Sequence, residues 1–398
     1  MTLNDVCILI ADCPHSTAPD EGSGYPLIRT PNIGKGRLKL KNVHRVSPAV
    51  YRERNKRAVP QPDDLILARE APVGNVAIVK QGQQVCLGQR TVLLRPDPEA
   101  ADPRFLAYYL LSPKIRHAFL GASNGTVVSH LNIAAVKNTA VALPAMAVQK
   151  RIASVFSALD EKLDVNDDIA SALERYIALL YKTWFADFDF PDAAGRPYRS
   201  GGGSMTETDG EMLPSGWAVD DVLRMVEWVG NSQPPKSDFI FAPREGYVRL
   251  IQNRDYDSDA HITYIPQTKK LKLADEFDIL IDKYGDAGRV RWGIAGAPNV
   301  ALGKLQAIRP ELQEYLRSYF QSDKIYAYLH AVCMASTRAS LSRDNLLPLK
   351  IVVPEKAVLQ RFQNTVRPIR EYLLCLQAES KKLENTKLEL IDTVFSDL

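Results

Sequence analysis

Apolar side chains recur from residue 152 to residue 184 in steps that alternate between four and three. Ile152, Phe156, Leu159, Leu163, Asn166, Ala170, Leu173, Ile177, Leu180 and Trp184 occupy these positions. Such alternation over several turns marks a coiled-coil seam. The series returns at Phe362, Val366, Ile369, Leu373, Leu376, Ser380, Leu383, Lys387, Leu390 and Val394, weakened only at Ser380 and Lys387. Each series predicts one helix of about 40 residues, or about 60 Å at a rise of 1.5 Å per residue. They begin after Pro144 and Pro354, and the only proline inside either is Pro368, in the early turns of the second. An apolar stripe that long exceeds what a small domain covers, so the two helices are expected to pack on each other; if they run antiparallel, each tip lies near the start of the other. Asn166 is expected to fix their register at some cost in stability.

The pattern changes to short β-rich runs upstream of each long helix. "DLILA" (64–68), "NVAIV" (75–79) and "RTVLLR" (90–95) are separated by Gly and Pro, as are "DILI" (278–281) and "KLQAIR" (304–309). A short helix is predicted after each group, at about 103–120 and 313–331. These parallels belong to an internal repeat. Phe105 to Phe188 align without a gap to Tyr315 to Leu398 at an offset of 210, so that "KTWFADFDF" returns as "DTVFSDL". Upstream the offset drifts to 214 and then 216, as loops of unequal length produce.

The chain therefore reads as two copies of a unit of about 190 residues. The expected fold class is α+β: two globular domains of mixed α/β structure joined by two long antiparallel coiled-coil helices. The predicted divisions are a first globular domain at 1–144, a long helix at 145–188, an exposed linker at 189–216, a second globular domain at 217–354 and the last helix at 355–398. Gly, Ser, Pro and acidic residues in "PDAAGRPYRSGGGSMTETDGEMLPSG" mark the linker.

Composition adds limits. A length of 398 residues implies two or three domains. No run of about 18 apolar residues predicts a membrane span, and "MTLNDVCILIADCPH" lacks the pattern of a secretory signal, so a cytoplasmic location is expected. The five cysteines, odd in number and without a CxxC pair, fit neither a disulfide framework nor a zinc site. Six histidines at 15, 44, 117, 130, 261 and 330 show no metal-ligand spacing. There is no phosphate-binding GxxxxGK[ST] loop and no Asn/Asp-Pro-Pro-aromatic run of amino-methyltransferases. "DILIDKYGD" (278–286) offers carboxylates and a lysine, but its counterpart "DLILAREAP" points to a buried strand entering a turn. No catalytic residue and no metal site are expected.

The charge distribution is more informative than the net charge of +3. Ten cations between Arg29 and Arg57 stand against one acid, Glu53. Arg29, Lys35, Arg37, Lys39, Lys41, Arg45, Arg52, Arg54, Lys56 and Arg57 are candidates for phosphate contacts, with "GRLKLKN" (36–42) expected as a strand presenting its charges on one face. Ser129, His130 and Asn132 form a polar loop candidate, His130 reading equally well as a hydrogen-bonded turn residue. The second copy offers Gln252, Asn253, Arg254, Lys269, Lys270, Arg338 and Arg343.

"LPAMAVQKRIASVFSALDEKLDVNDDIASALERYIALLYKTWFADFDF" (143–190), together with "YPLIRTPNI", "LGQRTVLLRP", "GTVVSHLN" and "LPSGW", resembles the DNA-specificity subunits of type I restriction-modification systems. The resemblance covers nearly the whole chain. It implies a non-catalytic, sequence-specific subunit whose two domains each read half of a split double-stranded DNA site, with the helices setting the spacer. It further implies two methyltransferase subunits and the restriction/translocase subunits as partners, with S-adenosylmethionine, ATP and Mg on those partners and no cofactor in this chain. Trp184 becomes Val394 and Gln149 becomes Leu359 in the second copy, which matches less well. The competing readings are a stand-alone restriction or modification enzyme and a coiled-coil protein scaffold.

Overall fold

The computed structural model describes residues 1–122, 130–335 and 340–396, and the chain divides into two compact units. The first comprises Met1–Asp168 and Gln377–Leu398, the second Ile169–Leu376. Each long helix thus contributes one part to each unit.

In the first unit a five-stranded sheet has at its centre Leu65–Ala68, antiparallel to Thr91–Pro96 on one side and to Val76–Ile78 on the other. Cys7–Asp12 and Gly36–Arg37 complete the edges. Period two explains why "LILA" is buried throughout. Leu65 and Leu67 join Phe105, Tyr109 and Phe156 in the core beneath the helices. Ile66 and Ala68 face the opposite side, with Ile28, Ile33 and Leu87. On that side lies a smaller sheet in which Tyr25–Ile28 pairs antiparallel with Arg45–Val46 and parallel with Cys86–Leu87.

The second unit repeats this topology. Ile279–Asp282 lies between Leu302–Ala307 and Val290–Arg291, with Val226–Val229 outermost beside Leu302–Ala307. Its smaller sheet again has a central strand, Tyr247–Ile251, antiparallel to one neighbour (Thr263–Pro266) and parallel to another (Ala297–Pro298). Ile279 and Ile281 face the main core while Leu280 and Leu302 face a second cluster. The repeat read from letters is a repeat of strand order and strand direction.

Each predicted short helix is two. Pro103–Leu110 and Pro113–Gly121 are separated at Ser112, whose hydroxyl accepts from the Ile115 amide, with Pro113 in the first turn. Gln313–Gln321 and Asp323–Ala335 break at the equivalent Ser322, whose hydroxyl donates to the Tyr319 carbonyl at 2.7 Å. The segment read as an exposed linker is also structured: Met205–Thr208 and Glu211–Pro214 form a hairpin. Phe190, Leu213 and Trp217 enter the second unit's core, with the Phe190 and Trp217 rings stacked at 4.9 Å. Phe190 and Leu213, widely spaced in the polar segment, anchor it in that core, and composition does not reveal them.

The long helices span Met146–Phe185 and Lys356–Val394. None of the predicted seam residues is exposed. In the first unit Phe156 stacks on Phe395, Asp160 meets Lys387, and the Asn166 amide donates to Glu379 Oε2 at 2.9 Å and Ser380 Oγ at 3.1 Å. Residue number rises on one helix as it falls on the other, so the pair is antiparallel. In the second unit Trp184 and Phe185 close on Phe362 at 5.6 and 4.9 Å. Phe395 packs edge-on to Phe105 at 5.5 Å, and Phe185 lies 4.6 Å from Tyr315, the residue equivalent to Phe105. The aromatic ending of each repeat therefore fills the same slot in the opposite repeat's short helix.

Lys387, which as a sequence only weakens the seam, is 3% exposed and bonded. Pro368 sits inside the second helix without ending it.

Candidate nucleic-acid interface

A polyanion surface needs cations whose charge reaches solvent, and burial sorts the predicted ten. Arg54 is 5% exposed; it donates to the carbonyls of Leu87 and Ser16, each at 2.8 Å, and of Pro14 at 3.3 Å. It clamps the helix Pro48–Arg54 to the loop preceding Tyr25 and leaves no group for a phosphate.

Arg37 is likewise diverted. Its guanidinium pairs with Asp164 at 2.7 Å and with Asp167, both on the first long helix, and Lys80 joins Asp164. The reason is local: Gly36 has φ +93°, and a Cβ there would fall 2.5 Å from Asp160 Oδ2 and 2.7 Å from the Tyr108 ring. The backbone passes so close to the helix that the next side chain reaches its acids.

"GRLKLKN" is consequently a strand only at Gly36–Arg37, and Asn42 turns with φ +55°. Alternation survives beyond Arg37: Leu38 and Leu40 pack on the smaller core while Lys39 and Lys41 are exposed. Lys35 is half-buried; burial, followed by the charge of Arg116, lowers its pKa, and its carbonyl accepts from Lys387. Arg29 is partly buried, and Arg45 donates to the Gly24 carbonyl at 2.8 Å.

Three further cations are exposed, with Lys56 3.9 Å from the Glu53 carboxylate. Arg52, Lys56 and Arg57 are exposed at the end of the helix Pro48–Arg54, where basic residues also suit the helix dipole. Lys56 and Arg57 border a cleft of about 310 Å³ lined also by Pro14, Ser16, Thr17 and Pro19. Arg57 is held there by the carbonyls of Asp12 and Cys13 at 3.2 and 3.3 Å.

His130 uses both ring nitrogens within the protein. Nδ1 lies 2.6 Å from Glu70 Oε1 and Nε2 lies 2.7 Å from Arg69 Nη2. An arginine can only donate, so Nε2 accepts and Nδ1 carries the proton toward Glu70. Arg69 continues to Asp12 at 2.7 Å, and Arg90 reaches Glu70 at 2.9 Å. Sequence reading missed Asp12, Arg69, Glu70 and Arg90, which come from three separate stretches of chain. Asn132 caps the helix Ile133–Lys137 by accepting from the Ala135 amide at 2.7 Å. Ser129 lies outside the described residues.

In the second unit Arg254, Lys269, Lys270 and Arg343 are exposed, while Asn253 is partly buried. Gln252 donates to Thr263 Oγ1 at 3.1 Å. Arg249 is drawn to Asp255 and Asp259 at 3.6 and 3.2 Å; Asp255 is buried, and that burial raises its pKa. Arg338 lies outside the described residues.

A cleft of about 540 Å³ is lined by Phe241, Pro243, Asp259, His261 and Tyr264, with Phe241 75% exposed and Arg244 over the Tyr247 ring nearby. An exposed aromatic ring at a mostly apolar cleft, with a cation nearby, suits apolar contact with base edges and contact with phosphates. The signal for it in the sequence is "FIFAPREGY" (239–247), where aromatic and cationic residues interleave around a proline.

Among the described residues no group of three or more His, Cys, Asp or Glu could hold a metal ion, and no helix is long and apolar enough to cross a membrane.

Comparison with known proteins agrees with this architecture. The family profile described as "Type I restriction modification DNA specificity domain" matches residues 1–175. The chain is similar to the type I restriction enzyme MjaIX specificity subunit of Methanocaldococcus jannaschii, with 23% identity over 355 residues covering 84% of this chain and 77% of that protein. The HindI specificity subunit of Haemophilus influenzae is 22% identical over 357 residues, covering 73% and 76%. Among solved structures, a type I restriction-modification S subunit from M. genitalium superposes with a TM-score of 0.55 at 14% identity over 100% of this chain and 96% of that one, a likeness of fold.

Proposed function

We infer the following from the family to which the chain belongs, the DNA-specificity subunits of type I restriction-modification systems. The chain is the DNA-recognition component and not the catalytic one. Each unit reads one half of a bipartite site in double-stranded DNA, and the long helices set the spacer between the halves. Two methyltransferase subunits and the restriction/translocase subunits assemble on the chain, and S-adenosylmethionine, ATP and Mg serve those partners.

The observation that carries this reading is the duplicated topology. The same four-strand order and the same mixed three-stranded sheet occur twice in one chain, as two similar readers of two half-sites require. Arg52, Lys56 and Arg57 in the first unit, and Arg254, Lys269 and Lys270 in the second, supply phosphate contacts that fix position. Base edges are read by neighbouring polar and aromatic groups. Mapping methylated adenines in the host genome with and without the gene tests the proposal. A split motif that disappears on deletion supports it; an unchanged methylation pattern in a strain whose methyltransferase partner is expressed removes it. A protein scaffold would also fail to give the complex salt-dependent, sequence-selective DNA binding.

A further inference from the structure

The helix pair of the first unit has a charged centre. The Lys387 ammonium donates to Asp160 Oδ1 at 2.5 Å and to the Lys35 carbonyl at 2.8 Å, while Asp160 Oδ2 accepts from the Tyr108 hydroxyl at 2.7 Å. Lys387 and Asp160 are each 3% exposed.

The second repeat places different chemistry at the equivalent positions. The offset of 210 carries Asp160 to Arg370 and Ile177 to Lys387. Arg370, 2% exposed, donates to Glu314 Oε2 at 3.3 Å and Gln321 Oε1 at 3.0 Å. Glu314 is shared with Arg317 at 2.9 Å, and both guanidiniums lie over Trp292, at 4.9 and 5.3 Å. Ile177 is buried in the apolar core.

A chain that carries one helix twice has alternative pairings, because each helix could join the same helix of a second copy in the same antiparallel way. Substituting equivalent residues shows what each homotypic pair would bury. Between two second repeats, Lys387 of one copy arrives at Arg370 of the other. An ammonium then meets a guanidinium whose carboxylate already serves two arginines. Between two first repeats, Ile177 arrives at Asp160, leaving a buried carboxylate bonded to the Tyr108 hydroxyl and without the ammonium that bonds it in the natural pair, the charge of Lys80 acting on it without a hydrogen bond. A two-fold pair contains each fault twice.

Leaving a buried charge without its partner shifts an equilibrium by on the order of a hundredfold or more. We propose that Asp160, Lys387 and Arg370 make the long-helix interface accept the opposite repeat and reject a second copy of the same repeat. The apolar seam holds either kind of pair, and the three charges choose between them.

The test uses the full-length chain with a protease site placed at the exposed turn Gly201–Gly202, cut under native conditions into an N fragment and a C fragment. Tagged and untagged preparations are mixed in mild denaturant and returned to buffer, so that scrambled tags certify exchange. Native mass spectrometry then counts N·C, N·N and C·C pairs. For the natural helices, N·C should exceed the random two-to-one ratio over each homotypic pair by about a hundredfold or more.

Arg370→Met should raise C·C at least tenfold and leave N·N rare. Asp160→Asn combined with Lys387→Met, which removes the charges while keeping similar shapes, should bring both homotypic pairs toward the random ratio. Two outcomes overturn the proposal. One is random pairing by the natural helices. The other is exclusive N·C pairing by both variants while tags scramble, which would assign the selection to the seam.

Discussion

Inserting one heptad into both long helices tests whether they act as the ruler between half-sites. The Asn166 bonds to Glu379 and Ser380 locate opposite positions on the pair. Four residues forward on the first helix and four back on the second bring Ala170 opposite Leu376. Seven residues added after Ala170 and seven after Leu376 keep the three-four seam in phase and leave Asn166, Asp160 and Lys387 with their partners. The added rise is about 10 Å at 1.5 Å per residue, or roughly three base pairs of B-DNA at about 3.4 Å each.

Three base pairs also turn DNA by nearly a third of its helical repeat of about 10.5 pairs, whereas a straight helix drifts only about 20° per heptad. Part of that mismatch falls on the DNA as bending or twisting, so a loss of affinity is expected alongside the shift. The assay is selection of the methyltransferase-bound variant on a library in which constant half-sites are separated by every spacer length. A preferred spacer about three pairs longer supports the ruler. A preference that remains at the parental length in a soluble, assembled variant refutes it.

Replacing Arg52, Lys56 and Arg57 by Ala should flatten the salt dependence of DNA binding by about 0.9 in slope for each phosphate no longer neutralised, with little change in melting temperature; an unchanged slope would assign these cations to solvent. Arg37→Ala should behave oppositely, lowering thermal stability through loss of the Asp164 and Asp167 pairs while leaving the salt slope unchanged. Phe395→Ala empties a fully buried ring site among Phe105, Tyr109 and Phe156 and should cost about 3–5 kcal/mol in denaturant unfolding. Pro368 is exposed within its helix, so Pro368→Ala should stabilise the chain by up to about 3 kcal/mol; a fall in stability would show that the proline is needed. Hydrogen bonds from Lys162 and then Asn166 hold the Glu379 carboxyl below its ordinary value of 4.5. Its contribution is therefore present above about pH 4.5 and lost as pH falls through the lower folded value, and Glu379→Gln should flatten that part of the stability profile.

The long helices and the repeat were legible in the sequence because both depend on spacing along the chain. A seam in steps of four and three requires the same residue kinds wherever the helix lies, and "LILA" alternates between two cores whichever strands flank it. The existence of two units and their strand-rich upstream parts follow from such local periodicity; the antiparallel direction of the helix pair is fixed by contacts such as Phe156 with Phe395 and Asn166 with Glu379.

The fate of individual charges followed a different rule. Arg54, Arg37 and Arg57 lie within one basic stretch, yet the first clamps a loop, the second pairs with a distant helix and the third faces a cleft. Burial and partner decide a cation's role, and both are set by residues far away in sequence: Leu87 for Arg54, Asp164 for Arg37. Lys387 shows this most clearly. A lysine on an apolar seam reads as a defect until Asp160, 227 residues away, is brought to 2.5 Å. Periodicity records what a residue's own element requires; only the tertiary structure brings together the opposite charges that make burial of an ion tolerable.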